Sequence, residues 1–149
     1  MKRFHSALLI AALVLSLFQP VALSAAENKD TLTWAQGADV TSLDPHIGKE
    51  TPAVMATNQI FDTLFTTDDE GKIVGQIAES WKYLSDTELE VHVRSGIKFH
   101  DGSPLSASDV KFSLDRAIAS TAVSYIVNFI KEVRVVDDHT VIIETAKPY

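Results

Sequence analysis

The chain has 149 residues, of which 46% are hydrophobic and 22% charged, with 20 acidic side chains against 13 basic ones and a formal charge of −7. That length allows one domain, or one lobe of something larger, and the acidic balance argues against a nucleic-acid partner because little here would displace counterions from a phosphate backbone. There is no cysteine, which excludes disulfide scaffolds, thiolate metal sites and thiol catalysis.

The N-terminus reads as an export signal. Lys2 and Arg3 precede an apolar run from Ala7 to Phe18, broken only by Ser16 and ended by Gln19-Pro20. Val21 to Ala26 then supplies the small residues a signal peptidase reads. The alternative, an N-terminal membrane anchor, fails on length, since a spanning helix needs about 20 apolar residues. The expected signal peptide is therefore 1–26, with cleavage after Ala26 or, as an alternative, after Ser24. No cysteine follows that could carry a lipid anchor, so the product is expected to be soluble, exported and periplasmic. Residues 27–149 keep 11 basic and 20 acidic side chains, a net −9. A chain of that size buries about two-thirds of its unfolded surface, enough for a modest core.

Along the rest of the chain, Thr31 to Ala35 alternates as a first strand with Leu32 and Trp34 on one face. Asp44-Pro45 marks a boundary, because the residue before proline avoids helix. Thr51-Pro52 reads as an N-cap followed by proline at the first helical position. The stripe Val54, Thr57/Asn58, Phe61, Leu64/Phe65 extends that helix from about Pro52 to Leu64. Asp68 to Gly71 is a turn and Lys72-Ile73-Val74 a short strand. Ile77 to Trp81 reads as one helical turn seating Trp81 in the core.

The clearest strand follows, with Leu89, Val91 and Val93 on one face and Glu90, His92 and Arg94 on the other. Gly96 breaks it, and Ile97-Lys98-Phe99 resumes an extended run. His100 to Pro104 is a turn with Gly102 as its left-handed residue. Ser106 and Asp109 have capping-box spacing and open a helix from Ala107 to about Ala119. Its core face is Ala107, Val110, Leu114, Ala117 and Ile118, while Phe112 falls on the polar face. A shorter helix carries Tyr125, Ile126, Phe129 and Ile130 on one stripe. Val133 to Val136 and Thr140 to Thr145, joined through Asp137-Asp138-His139, form a hairpin. The halt at Lys147-Pro148-Tyr149, straight after a strand, reads as a truncation.

Catalytic chemistry is not visible. His46, His92, His100 and His139 show no pairing at helical ligand spacing, so no metal site is expected. There is no nucleophile elbow and no glycine-rich phosphate loop. The carboxylate pairs Asp68-Asp69, Glu88/Glu90 and Asp137-Asp138 belong to turns and solvent faces. Asp101 is expected to bond its own turn and Asp109 to cap a helix.

Three blocks are familiar together: Ala78-Glu79-Ser80-Trp81; the run Arg94-Ser95-Gly96-Ile97-Lys98-Phe99-His100-Asp101-Gly102-Ser103-Pro104-Leu105 with Asp109-Val110 after it; and Phe112-Ser113-Leu114-Asp115-Arg116-Ala117, of which the first and the Lys98 to Leu105 run with Asp109-Val110 are specific. With the Ser42-Leu43-Asp44-Pro45-His46 turn, the Asn58 to Leu64 segment and the Asp137 to Val141 hairpin, they resemble the extracytoplasmic solute-binding proteins of the dipeptide/oligopeptide/nickel class, family 5, from about Thr31 to the last residue. The family's aromatic-rich strand is replaced here by Glu88 to Gly96, with alternation intact. Family members are several times longer.

The resemblance implies an α/β fold, a periplasmic-binding-protein type II-like clamshell. Of it, 27–149 would supply the first part of lobe one and the start of the extra subdomain. It implies a monomeric binding component of an ABC importer, with no cofactor, no metal and no catalysis. The partners would be a small solute or peptide and the permease subunits in the inner membrane. Di- and oligopeptides are the foremost solutes; nickel chelates, glutathione, opines and oligosaccharides are also used in the family. The segment after the Leu-Asp-Pro turn, Lys49-Glu50-Thr51, corresponds to the cleft edge. Its backbone groups, or the Glu50 carboxylate facing a cationic amine, are the ligand-contact candidates, beside the simpler reading of a helix cap flanked by solvated charges. The alternatives are a secreted enzyme such as a hydrolase on a similar framework, and a truncated product that binds nothing.

Overall fold

The computed structural model describes residues 30–148. The expected leader, residues 1–26, lies outside the described residues. Two compact units divide the chain at residue 35. Of the first, the described segment 30–35 forms no strand, with Leu32 and Trp34 exposed. The expected strand at 31–35 is thus absent, because alternation without a recorded ladder partner does not make a strand.

The second unit begins with helix α1 (Thr51–Thr57) and continues through β1 (Phe65–Thr67), β2 (Ile73–Gly75), β3 (Ala78–Ser85) and β4 (Glu88–Val93). Helices α2 (Ala107–Ala119) and α3 (Ser124–Val127) precede β5 (Ile130–Asp137) and β6 (Thr140–Thr145). Strands β1 and β2 form a small antiparallel ribbon, and the other four an antiparallel sheet in the order β3-β4-β6-β5. The α/β expectation holds in this form.

The sheet has two unlike faces because its side chains alternate. On the apolar face Val91, Val93, Val133 and Val141 are fully buried, joined by Ala78, Ile130 and Ile143. Helix α2 lies against β5 and β6 on this face, inserting Ala107 and Val110. Its predicted core stripe is observed: Ala107, Val110 and Ala117 are buried and Leu114 and Ile118 half-buried. Each buried valine contributes about 1.5–3 kcal/mol. On the polar face ion pairs cross the strands, Glu90 with Lys82 at 2.8 Å and Glu88 with Arg134 at 2.5 Å, so these carboxylates are structural, and they are half-buried where a solvent face was expected. Phe112 stands 69% exposed, as its place on the polar side of α2 requires.

Several local expectations fail for identifiable reasons. Helix α1 stops at Thr57 instead of Leu64. The Thr57 hydroxyl donates back to the Val54 carbonyl at 3.1 Å, and the N–H groups of Ile60 and Phe61 both converge on the Thr57 carbonyl, winding the helix down. Beyond it Gln76 competes for the chain: its side-chain oxygen accepts from the Thr63 N–H at 3.0 Å, and its amide donates to Asp62 at 2.6 Å. Ile77 to Trp81 is not a helical turn, because Ala78 onward pairs with β4, Ala78 opposite Val93 and Trp81 opposite Val91. Trp81 is 38% exposed, not seated in the core. The second short helix ends at Val127, since Ile130 pairs with Thr145 as the first residue of β5; Tyr125 and Ile126 are exposed.

Other local chemistry is as expected. The two-residue hairpin turn at Asp138-His139 is present, with the His139 N–H on the Asp137 carboxylate at 2.8 Å. Asp101 accepts from both the N–H and the hydroxyl of Ser103, and Gly102 has φ +87°. Asp109 accepts from the N–H and hydroxyl of Ser106, each at 2.8 Å.

Helix α2 leaves part of the apolar face open. Trp81, Leu89, Leu114, Phe129 and Ile143 help wall a hollow of about 360 Å³ there, with Phe65 edge-on to Trp81 at 5.0 Å between ring centres.

Candidate functional site

The segment carrying the candidate residues begins as a tight turn built by Asp44. Its carbonyl accepts the N–H groups of Ile47 and Gly48, at 3.1 and 3.0 Å, and its carboxylate accepts the His46 N–H at 2.9 Å. Gly48 is buried, and a Cβ there would lie 2.8 Å from the Ala53 side chain and 3.1 Å from the Ser42 carbonyl. The turn therefore sits hard against the first turn of α1, which fixes where Lys49, Glu50 and Thr51 emerge.

All three candidate residues are exposed and consecutive on this edge. The cap differs from the expected one. Glu50, not Thr51, holds the N-cap position with extended backbone (φ −73°, ψ 147°), no side chain caps the helix, and Thr51 is its first helical residue. Pro52 is tolerated at the second helical position, where its missing N–H is one of the donors that has no intrahelical acceptor in any case. The Glu50 carboxylate is not idle: it accepts from the Thr41 hydroxyl at 3.0 Å. The nearby N–H groups of Glu50 and Lys49 and the Thr41 hydroxyl hold its carboxyl below the ordinary value. It is an anion at neutral pH, oriented by local donors and open to solvent.

What anchors this edge was not read from the sequence. Arg116, in the last turn of α2, reaches back to the Asp44 turn. Its Nη1 donates to Asp44 Oδ1 at 2.8 Å and its Nη2 to Oδ2, a two-pronged ion pair. Nη1 also lies 2.8 Å from His46 Nδ1, and the Ser120 hydroxyl donates to the His46 carbonyl at 2.6 Å. Hydrogen bonds from Arg116 and from the His46 N–H lower the Asp44 carboxyl to about 2. Burial, then the Arg116 charge, holds the His46 imidazole below its usual value against the weaker opposite pull of Asp44. The only available signal was an arginine in the last turn of a helix and an acid in a turn, neither of which specifies the other.

Behind the turn lies a hollow of about 390 Å³ whose lining includes His46, Phe61, Asp62, Phe99 and Asp109. Among the described residues no cluster of three or more histidine, aspartate and glutamate side chains could hold a metal ion, and no described helix is long and apolar enough to cross a membrane. His92 lies between Glu90 and Thr140, 3.2 Å from each, as a cross-strand bridge.

The chain belongs to the bacterial extracellular solute-binding proteins, family 5, whose middle portion matches residues 72–149. It is 29% identical over 163 aligned residues to the periplasmic oligopeptide-binding protein OppA of Escherichia coli, covering 96% of this chain and 30% of that one. It is 34% identical to the glutathione-binding protein GsiB of Shigella dysenteriae, over 76% of this chain and 22% of that one. Among solved structures, MoaA of A. tumefaciens R10 in complex with mannopinic acid superposes with a TM-score of 0.69 at 30% identity, over 74% of this chain and 24% of that one. The chain thus spans less than a third of the length of these relatives.

Proposed function

We propose that this chain contributes the ligand-facing edge of lobe one to the periplasmic binding component of an ABC importer, with di- and oligopeptides as its solutes. The observation that carries the reading is the Lys49-Glu50-Thr51 edge: an ionised, locally oriented Glu50 carboxylate, open to solvent, on the extended residue that opens α1 and just after a buried-glycine turn. An extended peptide satisfies such an edge by main-chain hydrogen bonds, as an added strand does, while Glu50 faces its cationic amine. Relatives of this chain are named for binding oligopeptide and glutathione. Closure of a second lobe would complete the cleft, and the permease would read the closed state. No catalytic step is assigned.

One wall of a cleft buries little of a ligand, so the expected affinity of the 149-residue chain is about 1 mM or weaker. The test is nuclear magnetic resonance of the isotopically labelled chain titrated with a tripeptide to about 10 mM. Shifts centred on the amides of Lys49, Glu50 and Thr51 support the reading. Shifts there with glutathione or a nickel chelate but not with peptides overturn the peptide assignment. Shifts confined to other residues overturn the site.

A further inference from the structure

We propose that Arg116 is a positioning residue for the Lys49–Thr51 edge, and that it holds this edge only while the imidazole of His46 is neutral. The inference deepens the reading of that edge as a ligand contact and rests on it.

A guanidinium offers donors and no acceptor. The 2.8 Å approach of Arg116 Nη1 to His46 Nδ1 is therefore a hydrogen bond only if Nδ1 presents its lone pair, which puts the ring proton on Nε2. An imidazolium carries a proton on both nitrogens. Protonating His46 turns this contact into two donors, and two cations, face to face.

The surrounding charges do not cancel that conflict. From its own turn His46 faces Asp44, whose two oxygens are already engaged by the guanidinium. From α2 it faces Arg116, and Asp109 and Asp62 line the same hollow, Asp109 bonded to Ser106 and Asp62 to Gln76. Thr57 and Asn58, from α1 and its end, are neutral. Asp44 stays ionised down to about pH 2, so His46, held below its usual value of 6.5, is the member of the clamp that gains charge first as pH falls below that value.

The coupling to the ligand edge is short and covalent. His46 is followed by Ile47 and Gly48, both bonded to the Asp44 carbonyl, and Gly48 is wedged against Ala53. Lys49, Glu50 and Thr51 come next. Releasing Arg116 frees the turn that sets their position.

The test is amide hydrogen exchange in the 149-residue chain between about pH 5 and pH 8, corrected for the intrinsic pH dependence of exchange. Expected is a fall of about tenfold in protection at Ile47 and Gly48 toward the acid end, with the amides of β5 and β6 unchanged as a control for folding. His46→Gln supplies a neutral acceptor that does not titrate, and its profile should be flat. Arg116→Ala should be poorly protected throughout, and Arg116→Lys, which keeps the charge and loses the fork, should not restore it. An unaltered acid loss in His46→Gln, or full protection at Ile47 and Gly48 in Arg116→Ala, overturns the proposal. Peptide-induced shifts at 49–51 that survive Arg116→Ala unchanged overturn the clamp while leaving the ligand reading intact. A working clamp with no peptide response at 49–51 overturns the ligand reading and the positioning role with it.

Discussion

Arg116 and Asp44 stand 72 positions apart and meet as a two-pronged ion pair, with the arginine 41% and the aspartate 28% exposed at their side chains. The pair ties the end of the longest helix among the described residues to the turn from which the candidate edge emerges. Because the Asp44 carboxyl is lowered to about 2 from 3.8, the carboxylate's own contribution is present above pH 3.8 and lost as pH falls through about 2, after the weakening that protonation of His46 brings at higher pH. Partial exposure screens the pair, so about 1 kcal/mol is expected. Asp44→Asn should lower stability by about that amount at neutral pH, and the difference from the parent should shrink in acid. Chemical denaturation at several pH values between about 2 and 7 measures it; a constant difference would mean that charge is not the cause.

The burial of the sheet's apolar face makes a second expectation. Val133 is fully buried beneath α2, whereas Phe112, a larger side chain, is 69% exposed. Val133→Ala should cost about 2 kcal/mol through lost transfer energy and the void left behind. Phe112→Ala should change stability by less than about 0.5 kcal/mol. Urea midpoints of the two variants at equal slope decide it; a larger loss for Phe112→Ala would mean that its ring is covered in solution.

These contrasts show where the sequence was legible. The Ala107 to Ala119 helix, its capping acid Asp109, the alternating strand around Leu89 to Arg94 and the hairpin joined through Asp137-Asp138-His139 were readable because periodicity and local hydrogen bonding decide them. The failures share a cause: Ala78 to Trp81 and Ile130 were claimed by partners on the next strand of a hairpin, Val91 to Val93 and Thr145. Single-segment patterns do not contain such pairings. The same holds at the site. Lys49-Glu50-Thr51 followed from the family resemblance, but the Arg116 clamp needed the fold to bring α2 beside the Asp44 turn.

Two glycines separate strain from crowding. Gly102 adopts φ +87° in open space, while a Cβ on Gly75 would lie 2.1 Å from the Ala78 carbonyl oxygen. Gly102→Val should lower stability by about 1 kcal/mol or more through backbone strain alone, leaving peptide response at the 49–51 edge unchanged. Gly75→Ala should cost about 2 kcal/mol or more, because backbone must move, and the pairing of Gly75 with Phe65 should be lost. Melting curves rank the two, and amide exchange across β1 and β2 locates the second. Loss of ligand response with unchanged melting in Gly102→Val would move that turn from scaffold to site.

Glu50 provides the sharpest expectation for recognition. Its carboxyl is held below the ordinary value by local donors, so it is charged throughout the neutral range and an ammonium group brought to it makes a charge-assisted hydrogen bond. Glu50→Gln keeps the size and the acceptor facing Thr41 but removes the charge. Because the side chain is exposed, affinity for a peptide with a free amino terminus should fall only about threefold to tenfold, and raised salt should erase the difference. An N-acetylated peptide should bind parent and variant alike. Resonance titrations of both peptides against both proteins, at about 0.02 and 0.5 M salt, make four comparisons. A variant that discriminates the free from the acetylated amine as well as the parent does would remove Glu50 from the site and leave only the backbone of the edge to hold the ligand.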